Sequence, residues 1–143
     1  MVDVSERLRA VLDRAELVEL FDRYVHHLDF DRDNDAWLGD VFTEDAELVF
    51  PHGTFRGMAE LREFQRMAYA KYPRSHHLGG NHRVLRDGDT ATVTAHLTAV
   101  HIGAAVGPTG QMSFGGFGTA AAVRTAAGWR MRRFTFTSAW TRP

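Results

Sequence analysis

Across residues 5–28 the apolar side chains Leu8, Val11, Ala15, Val18, Phe21, Val25 and Leu28 recur at steps of three and four, with Glu6, Arg9, Asp13, Arg14, Glu16, Glu19 and Arg23 between them. That is the period of one helical face, so a long amphipathic helix is expected, with Ser5 as its cap. Asp29 follows Val25 by four residues. If the helix runs on, its carboxylate falls about 40° from the apolar stripe and points at the core, the only acid so placed. The segment from Phe30 to Asp35 is rich in turn formers, and Ala36-Trp37-Leu38 with Val41-Phe42 predicts a short second helix ended by Thr43-Glu44-Asp45.

Further on the period changes to two. Residues 46–50 read as a strand, Pro51-His52-Gly53 as a turn, and Thr54-Phe55-Arg56 as its brief partner. Gly57 opens a third helix, with Leu61, Phe64, Met67 and Ala68 on its buried side, ending near Tyr72-Pro73. Four long strands follow, over 75–85, 90–102, 111–124 and 129–140, the first two joined by an Asp87-Gly88 hairpin turn and the middle two by a loose 103–110 loop. From Thr90 onward Ala91, Val93, Ala95, Leu97, Ala99 and His101 share one face, so His101 ends on the apolar side. In the last strand a bulge near Arg132-Arg133 would bring Trp129, Met131, Phe134, Phe136, Ser138 and Trp140 onto one face, and Gly79-Gly80 is another place for a bulge.

The glycine-rich run from Ser113 to Gly118 lies inside a strand pattern without a following helix or a Lys-Ser/Thr, so it is no phosphate loop; bending or close packing accounts for it. The order of elements predicts one α+β domain over 1–143. Its expected form is a cone-shaped α+β barrel, in which a strongly curved, mixed, mostly antiparallel sheet wraps the N-terminal helices and leaves a pocket at its open end.

Composition narrows the function classes. At 143 residues and 44% apolar content the chain can bury a genuine core. A net charge of −1 with scattered basic residues gives no footprint for nucleic acid. The absence of cysteine excludes disulfides, thiolate zinc sites and a thiol nucleophile. With no signal-peptide order at the N-terminus and no apolar run near the ~20 residues of a membrane span, a cytoplasmic protein is expected.

The candidate chemistry gathers in Ser75-His76-His77-Leu78-Gly79-Gly80-Asn81, where His77 is expected to face the pocket and His76 solvent. Phe50, Phe55, Met67, Tyr72, Met112, Phe114, Phe134, Phe136, Ser138 and Trp140 are candidate substrate-binding walls, which as a group suggest an apolar cavity. A metal held by His26, His27 and Asp29, or by His77, His101 and Asp29, is the alternative use of the histidines; no tight ligand motif supports it, and no cofactor is expected.

The phrases Leu28-Asp29, Val41-Phe42-Thr43-Glu44-Asp45-Ala46, Phe55-Arg56-Gly57, the Ser75–Asn81 stretch, Asp87-Gly88-Asp89-Thr90-Ala91 and Gly128-Trp129-Arg130, in this order over essentially the whole chain, resemble the SnoaL-like branch of the nuclear transport factor two-like superfamily. That resemblance implies a catalytic pair of Asp29 and His77, as in scytalone dehydratase and hexachlorocyclohexane dehydrochlorinase, with His101 similar to the second pocket histidine and Tyr24 to a pocket tyrosine. A second tyrosine of that pattern has no counterpart here. The pairing makes chemical sense, because a buried carboxylate fixes the imidazole tautomer and raises the basicity of the free nitrogen. The expectation is a cofactor-independent dehydratase, isomerase or cyclase acting on a small, largely apolar substrate, self-associating through the outer sheet face. The alternative is a non-catalytic binding or partner-subunit domain of the same fold. Epoxide hydrolysis would need an Asp-Arg-Asp constellation that the pattern does not assemble.

Overall fold

The computed structural model describes residues 3–104, 106 and 108–143. A long helix α1 (Val4–Phe30) leads to a single turn α2 (Leu38–Val41), a strand pair β1 (Phe42–Phe50) and β2 (Gly53–Arg56), helix α3 (Gly57–Lys71), and four long strands β3 (Arg74–Asp87), β4 (Thr90–Ile102), β5 (Gln111–Thr125) and β6 (Gly128–Arg142). The six strands form one open sheet in the order β2-β1-β6-β5-β4-β3. All neighbours run antiparallel except β1 and β6, which are parallel. The expected mixed, curved α+β sheet around an N-terminal helix is therefore present, and it is not closed into a barrel.

Among the described residues the β1–β6 pairing shifts register between Phe42 and Glu47, and three bulges bend the strands from β3 to β6. Arg132 is the extra residue opposite Ala121 and Ala122, Ala139 is the extra residue opposite Gly115 and Gly116, and β3 gains one residue between Gly80 and Arg83. The first is the bulge expected at the arginine pair, and it carries Trp129, Met131, Phe134 and Phe136 onto the buried face. The third falls just beyond Gly79-Gly80, where Asn81 adopts φ 55°.

The inner face is built for a helix to lie close. Ala91, Ala95, Ala99, Ala120 and Ala122 are small and buried, and a Cβ on Gly118 would stand 2.7 Å from the Phe21 ring. Phe21, Leu17, Leu20 and Tyr24 of α1 fill that trough together with Leu48, Leu61, Met131 and Phe134. Burying each such side chain contributes ~1.5–3 kcal/mol.

Helix α1 departs from the expected phase in its first half. Leu8, Val11 and Ala15 are exposed and Val18 is half-buried, whereas Asp13, Leu17, Leu20, Phe21, Tyr24 and Val25 face the sheet. Both faces carry apolar residues at helical spacing. The sheet takes the one with Asp13, because that carboxylate receives Arg124 Nη1 and Nη2 at 3.0 and 2.9 Å and Trp129 Nε1 at 3.4 Å. Asp29 is thus not the only inward acid of α1. Ser5 lies inside the helix, whose N-cap is Asp3. Strand β1 begins at Phe42, four residues before its expected start, because pairing of Phe42 with Met131 draws the segment into the sheet. Met67 of α3 points outward, while Met58, Leu61 and Gln65 form that helix's buried side.

Candidate active site

The C-terminal half of α1 is tied to β3 by two aspartate–histidine pairs. Asp22 Oδ1 meets His82 Nε2 at 2.8 Å, and Asp29 Oδ1 meets His77 Nδ1 at 2.7 Å. The two acids lie seven residues apart, two helical turns, and so share a face. His77 pairs with the buried Ala99 across the β3–β4 ladder, which sets its side chain on the inner face of the sheet; His76 pairs with Val100 and is exposed. Side-chain exposure of His77 is only 8% and of Asp29 12%.

Asp29 is held from several directions. Its Oδ2 accepts the backbone N–H of His77 at 2.7 Å, and its Oδ1 also accepts the Ser75 hydroxyl at 2.8 Å. Burial alone would raise its pKa, but these three hydrogen bonds and the nearby imidazole outweigh burial and hold the carboxyl below its ordinary range. An ionised Asp29 is an acceptor only, so the proton of the shared bond belongs to His77 Nδ1, and in the neutral ring the lone pair lies on Nε2.

Behind Ser75 stands Arg32. Its Nη1 donates to Ser75 Oγ at 2.9 Å and to Leu28 O at 3.0 Å, its Nη2 donates to Tyr72 O, and its guanidinium stacks 4.4 Å from the Tyr69 ring centre. A continuous chain Arg32–Ser75–Asp29–His77 results. Neither Arg32 nor Ser75 stands out in the sequence. Arg32 sits in a run that reads as a solvated turn, and only the fold brings the end of α1 against the start of β3.

His101 completes the histidine pair on the inner face. Its ring centre is 5.4 Å from that of His77, 4.5 Å from Tyr72 and 4.9 Å from Phe114. Burial, and then the neighbouring His77 and Arg32, push its pKa down to about 4, so the ring is neutral at physiological pH. Its buried Nδ1 has no hydrogen-bond partner among the described residues. Along β4 the inward residues Ala91 to Ala99 are all buried, while His101 is half-exposed, as are Met112 and Phe114 at the matching end of β5. Solvent therefore reaches the inner face from this end of the sheet.

The expected wall residues divide. Tyr72, Met112 and Phe114 gather around His101, and Phe136 backs Phe114 at 5.3 Å. Phe50 and Phe55 pack with Phe64 on the neighbouring β1–β2 pair. Phe134 is core, in contact with Phe21, Tyr24 and Phe50. Three expectations are corrected. Met67 is 58% exposed, Ser138 is exposed, and Trp140 is turned to the outer face over Gly115 by the Ala139 bulge. Pairing of β1 with β6 stops at Thr135, which leaves Ser138 uncovered. Tyr24 is buried among Trp37, Phe42 and Phe134, and burial raises its phenol pKa, so the structure places it in the core and not beside His77 and His101.

His26 and His27 do not turn to Asp29. His27 Nδ1 bonds Asp31 at 2.6 Å and stacks on Trp37, and His26 stacks on Phe30. Among the described residues no three His, Asp or Glu side chains form a metal-holding group. An Asp-Arg-Asp cluster does exist, Asp13–Arg124–Asp89, but Asp13 is sealed against Arg124 and Trp129 while the Asp89 side chain is 81% exposed on the β3–β4 turn. It staples α1 to the strands and encloses no site.

The profile of the SnoaL-like domain matches residues 9–135. The chain belongs to this family. Among solved structures, the Kfla4162 protein of Kribbella flavida is 30% identical, with a TM-score of 0.83 over 93% of this chain and 95% of that one. A protein named as a scytalone dehydratase, from Novosphingobium aromaticivorans, is 17% identical with a TM-score of 0.80, covering 93% and 88%. Hexachlorocyclohexane dehydrochlorinase LinA, type 2, is 16% identical with a TM-score of 0.83, covering 96% and 92%. At these lower identities the last two show a common fold. No curated protein matches the sequence. For the SnoaL-like domain described here, residues 9–135 enclose every member of the Arg32–Ser75–Asp29–His77 chain and His101. Among the described residues no helix is long and apolar enough to cross a membrane.

Proposed function

We propose that this SnoaL-like domain, taken as one unit over 1–143, is a cofactor-independent general-base enzyme of the dehydratase, isomerase or cyclase kind, acting in the cytoplasm on a small, largely apolar substrate such as a polyketide or an aromatic or alicyclic metabolite. The observation that carries the reading is the 2.7 Å contact between Asp29 Oδ1 and His77 Nδ1 on the inner face of the sheet. His77 Nε2 takes a proton from carbon or water, and Asp29 stabilises the imidazolium that forms. The neutral His101 donates a hydrogen bond to the oxygen that gains charge, or to the leaving group. Tyr72, Phe114 and Phe136 offer the apolar surface against which the substrate packs.

The test is a panel of β-hydroxy ketones, polyketide-like aromatics and halogenated alicyclic compounds in D2O, followed by NMR for elimination, ring closure or deuterium uptake at carbon. His77→Ala is expected to lose at least about a hundredfold in turnover with its circular dichroism unchanged. Undiminished turnover in that variant overturns the reading.

One observation favours a non-catalytic binding or partner-subunit domain instead. Two surface grooves, one along α1 from Val11 to His26 and one between Glu47, Arg86 and Arg133, do not border His77. In that case panel compounds bind without conversion and His77→Ala leaves their binding unchanged. Self-association through the outer sheet face is part of the proposal in either form, supported by the exposed Leu78, Phe117 and Trp140.

A further inference from the structure

The first half of the apolar stripe expected to be the buried face of α1, Leu8 to Ala15, is left outside, while its second half, Phe21 and Val25, is buried. Val4, Leu8, Val11, Ala15 and Val18 follow one another at steps of four, three, four and three, averaging about 3.5 residues, which is the spacing of a helix-to-helix seam and not of a helix lying on a sheet. Leu8 is 57% exposed, Val11 64%, and Leu12 beside them 50%, so three large apolar side chains stand together at least half in solvent. The other side of the same helix is already committed to the sheet through Leu17, Leu20, Phe21 and Tyr24. One α-helix therefore carries two apolar faces, and the fold uses one.

We propose that the N-terminal half of α1 is the contact surface for a second copy of this chain, packed helix against parallel helix around a two-fold axis. Three features select a second copy. Val11, Ala15 and Val18 floor a groove that Arg14 edges on one side and Glu19 on the other. Arg14 and Glu19 are five residues apart, the offset at which flanking charges meet across a parallel helix pair, so Arg14 of each copy faces Glu19 of the other in both directions. Ala15, the smallest member of the stripe, lets the two helices approach at the centre. The seam ends at Asp22, which faces back to His82 at 2.8 Å. This surface is distinct from the outer sheet face, and the inference does not rest on the catalytic reading.

The chain has no cysteine, so single-cysteine crosslinking reads the contact without background. Val11→Cys is expected to form a disulfide-linked dimer on mild oxidation, and Ala10→Cys, off the seam, to stay uncrosslinked. In sedimentation velocity over a concentration series, Val11→Glu is expected to lower the assembly state with circular dichroism unchanged. Arg14→Glu and Glu19→Arg are each expected to weaken association at least tenfold, and the double variant to recover it. A wild-type chain that is monomeric throughout overturns the proposal. So does an assembly that survives Val11→Glu and Arg14→Glu but dissociates in Trp140→Glu, which would assign the contact to the sheet. Because these readouts need no substrate, failure of the general-base reading leaves them unaffected.

Discussion

Asp29 accepts from His77 twice, through Oδ1 from ring Nδ1 and through Oδ2 from the backbone N–H, each at 2.7 Å. The carboxylate is fixed to the very residue whose ring it orients, so neither can rotate without losing a partner. Asp29→Asn offers one acceptor and one donor where two acceptors are needed. The expected outcome is loss of the Nδ1–H tautomer, read by 15N NMR of the imidazole, together with a fall in turnover of ~10²–10⁴-fold.

Arg32 tests whether the chain behind Asp29 matters. Its guanidinium serves Leu28 O, Ser75 Oγ and Tyr72 O at once, a fork that a lysine cannot reproduce. Arg32→Met is expected to cost about 1–3 kcal/mol in urea denaturation, because buried acceptors lose their donors. Arg32→Lys should recover only part of this, and Ser75→Ala should cost less than either.

In the first half of α1, removal of Asp13 takes the buried acceptor from Arg124 and Trp129, while Arg124 keeps Asp89. Asp13→Ala is expected to destabilise by ~1–3 kcal/mol. Hydrogen bonds from Arg124 chiefly, against the opposing effect of burial, lower the Asp13 pKa in the folded state. A depressed carboxyl contributes stability that is present above the unfolded pKa of about 4 and is lost as pH falls through the folded value. The acid arm of the stability–pH curve should therefore flatten in Asp13→Ala.

His101 is expected to titrate near its lowered pKa of about 4, as followed by its ring C–H resonance and assigned with His101→Asn. A depressed histidine opposes folding once protonated, so its contribution is full above the unfolded value of about 6.5 and declines as pH falls from there toward the folded one. A midpoint near 6.5 would contradict the burial described here.

Gly118 checks the close approach of α1 to the sheet. A Cβ there would stand 2.7 Å from Phe21 and 3.0 Å from Phe134. Gly118→Val should cost at least ~1–3 kcal/mol in thermal or urea unfolding, by overpacking.

Much of the fold was legible because it rests on local periodicity. The alternation from Ala91 to His101 survives as written, since a strand's side-chain phase follows from pleat alone. The Asp87-Gly88 turn is present, with Gly88 at φ 60°. Asp29 was legible for the same reason, one helical turn beyond Val25. The outward turn of Trp140 was not, because the Ala139 bulge is set by what β6 pairs with and leaves no local mark. Arg32 was hidden in a polar run whose neighbours come from α3 and β3.

The clearest division lies within α1. Sequence alone determined that it is a helix, that it carries apolar residues at helical spacing, and that Asp29 shares the phase of its C-terminal half. Two such faces were available, one through Val11 and Ala15 and one through Leu17 and Leu20, and hydrophobic spacing could not choose between them. The tertiary structure chose the second, because only that rotation lets Asp13 meet Arg124 and Trp129 from strands more than a hundred residues away while Phe21 settles over Gly118. The same rotation leaves Val11 facing solvent and sets Asp29 against His77.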